Sequence, residues 1–281
     1  MGGLVAVTSL GALRVPSPRA SRARVVALTR WAIVLGAVAA LEAYARLFGD
    51  PGFVQPPTAV ARAWVDPILS DPKIVGALGM AVYEIAAAYA LSIVFGALIG
   101  VAVGSTGFAR GALLPIVLLL YAIPQVSLMP LFVLVFGLGA ASKIAFGFSH
   151  GVFPVIVHVV SGMRGVNPLY LRGARSMGAG WTDILRHVVF PNMAPALFVG
   201  LRLAMTLTLL GVILAELYVS TGGVGYYTKL YAESYNPAPL FALIASLALI
   251  AALFNALVRL TERRLAPGRP AALTPARTGP R

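Results

Sequence analysis

The chain has 281 residues, 59% of them hydrophobic and only 11% charged, with a mean hydropathy of +0.88. A soluble domain carries about 25% charged residues, so this composition cannot furnish a hydrated surface and excludes a soluble multidomain protein. The absence of cysteine excludes disulfides, thiolate metal sites and cysteine nucleophiles. His150, His158 and His187 have no metal-ligand spacing, so neither metal nor other cofactor is expected.

The chain opens on a basic tail, residues 1–26, whose Pro/Arg-rich stretch 15–24 reads as disordered. Its apolar part precedes its basic part, the reverse of a cleavable signal peptide. A membrane-crossing helix needs roughly 20 mostly apolar residues. Six stretches meet or approach this, at 27–48, 77–104, 113–136, 144–163, 197–219 and 240–258. Backbone polar groups in lipid must be satisfied within the segment, so these are helices. The expected fold is an all-α polytopic membrane protein of about six transmembrane helices, with a membrane domain over 27–260 and a second basic tail over 261–281.

Lys and Arg fall unevenly about these spans, seventeen on the side that holds both termini and five on the other. The side richer in Lys and Arg is the cytoplasmic one, which places both ends in the cytoplasm. The net charge of +13 follows topology and does not point to nucleic acid as a partner.

The first loop, 49–76, reads as an external cap with a short amphipathic helix carrying Val60, Trp64, Val65 and Ile68, Trp64 suiting the membrane interface. In the second span Gly96, Gly100 and Gly104 recur every four residues. That small-residue stripe admits a close helix neighbour, either within the subunit or in a second copy. Pro115, Pro124 and Pro130 should kink or break the third span. Broken helices in membranes are buried or line cavities, which makes Pro124 and Pro130 candidate pore or gate residues.

Acidic side chains in spans are costly and functional by default, so Glu84 and Glu216 join that list, each also open to a structural reading. Glu42, near the end of the first span, reads as an interface residue. Gly147-Phe148-Ser149-His150-Gly151 matches G-x-S-x-G, and His158 would supply a base, but the pattern needs a strand–turn–helix corner and here lies within a span. Gly222-Gly223-Val224-Gly225 has no following Lys-Ser/Thr and reads as a tight re-entrant turn. No Walker-type loop occurs, so the chain is not expected to hydrolyse ATP or to act as an enzyme. There is no inverted repeat of the kind that secondary transporters show.

The segment after the fourth span reads GVNPLYLRGARSMGAGWTDILRHVVFPNMAP. Pro168 suits a helix start, Leu171, Ala174, Met177 and Gly178 share a face, and Gly178 permits a turn. A second short helix, 181–190, should end at Pro191. Two short exposed helices would form a knob able to dock into a partner groove.

This knob resembles the "EAA" loop of the permease subunits of binding-protein-dependent ABC importers. Ala174, Gly178, Val188, Phe190 and Pro191 stand at matching positions, while Arg172 and Gly173 replace the family's Glu and first Ala. QPPTAV at 55–60, AIPQVSLMPLFVLVFGLGAASKI at 122–144, and LAE followed by GGVGY over 214–226 also resemble segments of the nitrate/sulfonate/taurine branch. The resemblance implies a type I importer permease fold in a bacterial inner membrane. It implies a second permease copy, cytoplasmic ABC ATPase subunits, an extracytoplasmic substrate-binding protein and a small-molecule substrate. It assigns ATPase coupling to Leu171, Arg172, Gly173, Ala174, Arg175, Ser176, Met177, Gly178, Ala179 and Pro191. A stand-alone secondary transporter or channel is the alternative.

Overall fold

The computed structural model describes residues 18–50, 52–219 and 222–265; the outer parts of both expected tails, 1–17 and 266–281, lie outside them. Residues up to 59 and residues from 60 onward form two compact units.

In the first unit α1 runs over Pro18–Leu47. It begins inside the stretch expected to be a tail, because a proline is tolerated in the first helical turn and the alanines and arginines after it are good helix formers. Glu42 is more than an interface residue. It accepts from Arg46 Nε at 2.6 Å, from Thr58 Oγ1 at 2.7 Å and from the Thr58 backbone N–H at 3.0 Å. It thereby satisfies an orphan donor at the start of α2 (Pro57–Ala63).

In the second unit a π-helical turn, Trp64–Ile68, continues α2, burying Ile68 and leaving Val65 exposed. Trp64 donates to Ser246 Oγ at 2.8 Å. Then follow α3 (Pro72–Gly104), α4 (Gly107–Ala122), a 3-10 turn Gln125–Leu128, α5 (Met129–Phe136) and α6 (Ala140–Arg164). The chain continues with α7 (Pro168–Ser176), α8 (Trp181–Asp183), a π-helical stretch Ile184–Val189, and α9 (Phe190–Val219). It ends in α10 (Val224–Glu233) and α11 (Pro237–Leu265). Five described helical segments are long and apolar enough to cross a membrane, or six if the bent pair Gly107–Ala122 and Gln125–Phe136 counts as one span.

That pair bends by 80°. Of the three prolines only Pro124 sits at the break, where Ile123 leaves helical geometry; Pro115 is carried inside α4 and Pro130 occupies the first turn of α5. The expected helix end at Pro191 does not occur. Trp181–Val219 is one continuous 39-residue helix, and the wider π stretch just before Pro191 absorbs the ring that would clash with an α-helical carbonyl four residues back.

The centre of the bundle is α6, held between α3 and α9. Its contacts with α3 are parallel and in fixed register. A Cβ built on Gly96 would lie 2.6 Å from Val155 Cβ, one on Gly100 2.7 Å from Val159 Cβ, and one on Gly104 2.7 Å from Met163 Sδ. The glycine stripe is therefore an intrasubunit seam. Against α9 the packing is antiparallel, with Gly147 beneath Val212, Gly151 beneath Thr208, and α9's own Gly200 and Gly211 against His158 and His150. Glycines on both sides of α6 let three backbones approach closely, the packing that apolar solvent favours.

Candidate functional site

Parallel α3 and α6 and antiparallel α9 place the starts of α3 and α6 beside the end of α9. At that end of the bundle the register that pairs Gly96 with Val155 also pairs Glu84 with Lys143, again 59 residues apart. Lys143 Nζ donates to Glu84 Oε1 at 2.8 Å and lies 3.7 Å from Glu216 Oε1. Both Glu side chains are 0% exposed and Lys143 only 8%. Glu216 Oε2 also accepts the Gly225 N–H at 2.8 Å. The two expected intramembrane acids thus converge on one ammonium, supplied by the first turn of α6.

The turn after α9 is shaped around Glu216. Gly223 has φ +107°, and a Cβ there would collide with Glu216 Oε1; one on Gly225 would sit 2.5 Å from Glu216 Cβ. Only glycine gives this backbone both its left-handed conformation and its approach to the carboxylate. Gly222–Gly225 is a carboxylate-capping turn, in keeping with the tight turn expected there.

A cavity of about 340 Å³ opens over this cluster, lined by Lys73, Glu84, Lys143, Gly139, Gly223 and Tyr227 among others. A second, mostly apolar cavity of about 600 Å³ lies between α5 and the end of α9, lined by Val126, Ser127, Met129, Pro130, Val133, Tyr218 and Val219. Pro130 lines it and Pro124 does not, so the two prolines part company: one borders a cavity, the other makes the bend.

The knob forms at the opposite end. Asn167 caps α7 by accepting the Leu169 N–H at 2.9 Å, and Gly178 (φ +79°) ends it, with the Ala179 N–H returned to Ala174 O at 3.1 Å. Ala174 is buried and Leu171 half-buried against Val166, Ile184 and Val189. Met177, expected on that face, is 83% exposed, because the chain has left helical geometry there. Arg172, Gly173, Arg175, Ser176 and Gly178 are exposed, Ala179 is half-buried, and Pro191 is exposed at the base of α9. Leu169, Tyr170 and Trp181 add exposed apolar surface. With Arg164, Arg172, Arg175 and Arg186 against Asp183 alone, the knob is basic.

The G-x-S-x-G pattern is inside α6. Ser149 Oγ donates to Phe146 O at 2.7 Å, and His150 Nδ1 is 2.9 Å from the same carbonyl. His158 is nine residues on, about 13 Å along the axis, and turns its Nδ1 to Pro154 O at 2.8 Å. Nothing here presents a nucleophile. Among the described residues no three His, Asp or Glu side chains converge to hold a metal.

Residues 92–267 match the family described as the binding-protein-dependent transport system inner membrane component. The chain is 32% identical over 176 residues to the taurine transport system permease protein TauC of Escherichia coli K12, covering 63% of this chain and 64% of that protein. It is 28% identical over 228 residues to the formylaminopyrimidine transport permease protein ThiX of Halalkalibacterium halodurans, covering 81% and 90%. It is 26% identical over 198 residues to the nitrate import permease protein NrtB of Synechococcus elongatus, covering 68% and 70%. Its fold is similar to a chain of the inward-facing MetNI methionine ABC transporter, with a TM-score of 0.58, 19% identity, and coverage of 69% of this chain and 99% of that one.

Proposed function

Since the chain belongs to the family of binding-protein-dependent transport system inner membrane components and is thus a permease subunit of an ABC importer and not an enzyme, we propose that it forms half of a solute pathway whose opening is driven from the knob by a separate ATPase. The observation that carries this reading is the unbroken helix Trp181–Val219. Its first turns form the knob's second arm, and its last turn holds Glu216 in the cluster at the far end. At 39 residues it is about 58 Å long, one continuous helical segment joining the docking surface to the cavities. A displacement of the knob therefore moves both ends of the bundle, so nucleotide state in a partner can bias which end is open.

Leu171–Ala179 with Pro191 would carry the coupling, Leu171 and Ala174 anchoring α7 from below while Arg172, Arg175, Ser176 and Met177 face the partner. Arg172 where the family has Glu makes the surface basic, so the matching ATPase groove should be acidic. The wall beside Pro130 would face a second copy of the chain, in a homodimer with the apolar cavity at its pathway. The excess of arginine at the knob end supports a cytoplasmic knob and cytoplasmic termini in a bacterial inner membrane. The cavity at Lys73 and Gly223 would then face the binding protein. The names of the relatives, permeases for taurine, formylaminopyrimidine and nitrate, support a small polar solute.

The test is Gly178→Asp in the full chain co-expressed with its ATPase. A side chain at φ +79° with added negative charge should abolish co-purification of the ATPase while the permease still inserts in the membrane. Undiminished co-purification would remove the knob from the docking role.

A further inference from the structure

The buried cluster has one cation fewer than it needs. Glu84 and Glu216 face a single ammonium, and Glu84 Oε2 and Glu216 Oε1 are fully buried with no hydrogen-bond donor. Both carboxyl groups lie against the same ammonium, Oε1 of Glu84 at 2.8 Å and Oε1 of Glu216 at 3.7 Å from Lys143 Nζ, so two acids crowd one donor. Fully ionised, the cluster would hold a net negative charge away from water, and an uncompensated buried charge is among the most costly features a bundle can carry. The other ionisable groups near it do not correct this. From α3, Lys73 lines the same cavity as the cluster, and from α10 Tyr227 does too; among the described residues the ion pairs of the two carboxylates are with Lys143. Neither α5 nor the turn before α6 contributes a charged group to the lining.

We propose that the Glu84–Lys143–Glu216 cluster is a proton-binding site that holds one proton on its carboxyl pair in the resting bundle. A proton taken from cavity water converts one of the donorless oxygens into an O–H that donates to the other carboxylate. Both stranded acceptors are then satisfied and the cluster becomes neutral: one carboxylate, one ammonium, one carboxylic acid. A metal cation does not serve as well, because the Lys143 ammonium already occupies the point nearest both carboxylates and would repel it. The proton therefore ties α3, α6 and α9 to the turn that opens α10, at the end of the bundle opposite the knob.

The test is infrared difference spectroscopy on the full-length permease in lipid, with ¹³C-labelled glutamate, which needs no partner subunit and so stands apart from the transport reading. The wild-type protein at neutral pH should show the carbonyl band of one protonated glutamic acid, shifted in D2O as the cavity water exchanges its proton. Glu84→Gln, which mimics the neutral acid, should remove that band and leave Glu216 ionised beside Lys143. Lys143→Met should instead raise the signal to two protonated carboxyls. Absence of any protonated glutamate band in the wild-type protein at neutral pH would overturn the proposal, even if neither variant folds. Stabilisation of the wild type by sodium but not by choline would equally overturn it, since that would mean a metal cation fills the place assigned to the proton.

Discussion

Substituting alanine along the α3 glycine stripe gives a graded series worked from single distances. At Gly100 the new methyl would stand 2.7 Å from Val159 Cβ and 2.8 Å from its Cγ1. Carbons pack at about 3.5–4.0 Å, so the helices must part by about 1 Å. Over-packing of this kind costs about 1–3 kcal/mol, and the better helix propensity of alanine returns up to about 1 kcal/mol. The net expectation is a loss of about 1–2 kcal/mol, and the same at Gly96, 2.6 Å from Val155 Cβ. Gly104→Ala meets the end of Met163, which can swing aside, and should change stability by less than about 0.5 kcal/mol. Gly111→Ala in α4 has nothing within 4 Å and should be neutral or stabilising. Val159→Gly should recover part of the Gly100→Ala loss, whereas Val159→Ala should not, because the closest atom is Cβ itself. Thermal unfolding of the purified permease, with crosslinking to follow its oligomeric state, reads the series. Equal behaviour of Gly100→Ala and Gly111→Ala, or a loss of dimer with no change in unfolding, would refute the intrasubunit seam.

Four further expectations follow from the site. Lys143→Met removes the ammonium's hydrogen bond from two buried carboxyls, which take up protons in its place, and should cost about 1–3 kcal/mol, read by thermal unfolding; an unchanged melting temperature would contradict the buried pairing. Gly223→Ala combines a left-handed backbone with a clash on the Glu216 carboxylate and should destabilise by about 1–3 kcal/mol, so an unchanged melting temperature would argue against the capping turn. Asn167→Ala removes the α7 cap and should cost about 1 kcal/mol locally, seen as faster amide exchange over 168–176 with the rest of the bundle unaffected. By contrast Arg202→Ala breaks the α9–α11 pair with Glu262, whose side chains are 37% and 29% exposed. Because solvent screens it, the loss should stay below about 1 kcal/mol.

Much of this architecture is written in hydropathy. The apolar runs locate each span because lipid demands length and internal hydrogen bonding, and the glycine stripe and Pro124 mark where helices close up and where one breaks. The ends were harder. α3 extends back to Pro72 and reaches about 50 Å, beyond the hydrocarbon, so hydropathy could not delimit it. Pro191 looks like a terminator because the usual rule assumes α-helical geometry, and only the π stretch lets the helix run on. Glu84 and Glu216 stood out as costly, but their meeting depends on the 59-residue register between α3 and α6, which no local pattern encodes. Lys143 falls one residue before the apolar run at 144–163 and so reads as a loop charge. Charge balance was the available signal, since two intramembrane acids call for a basic partner and Lys143 lies in the first turn of an apolar helix.

On the proposed reading this chain moves solute only when a partner's ATP cycle acts through the knob. Its most direct test is uptake into proteoliposomes holding the permease with an ATPase and a binding protein that co-purify with it, using the binding protein's own ligand as the labelled solute. Uptake should require ATP and all three components and be lost with Gly178→Asp. Uptake by the permease alone, without nucleotide or ATPase, would contradict it.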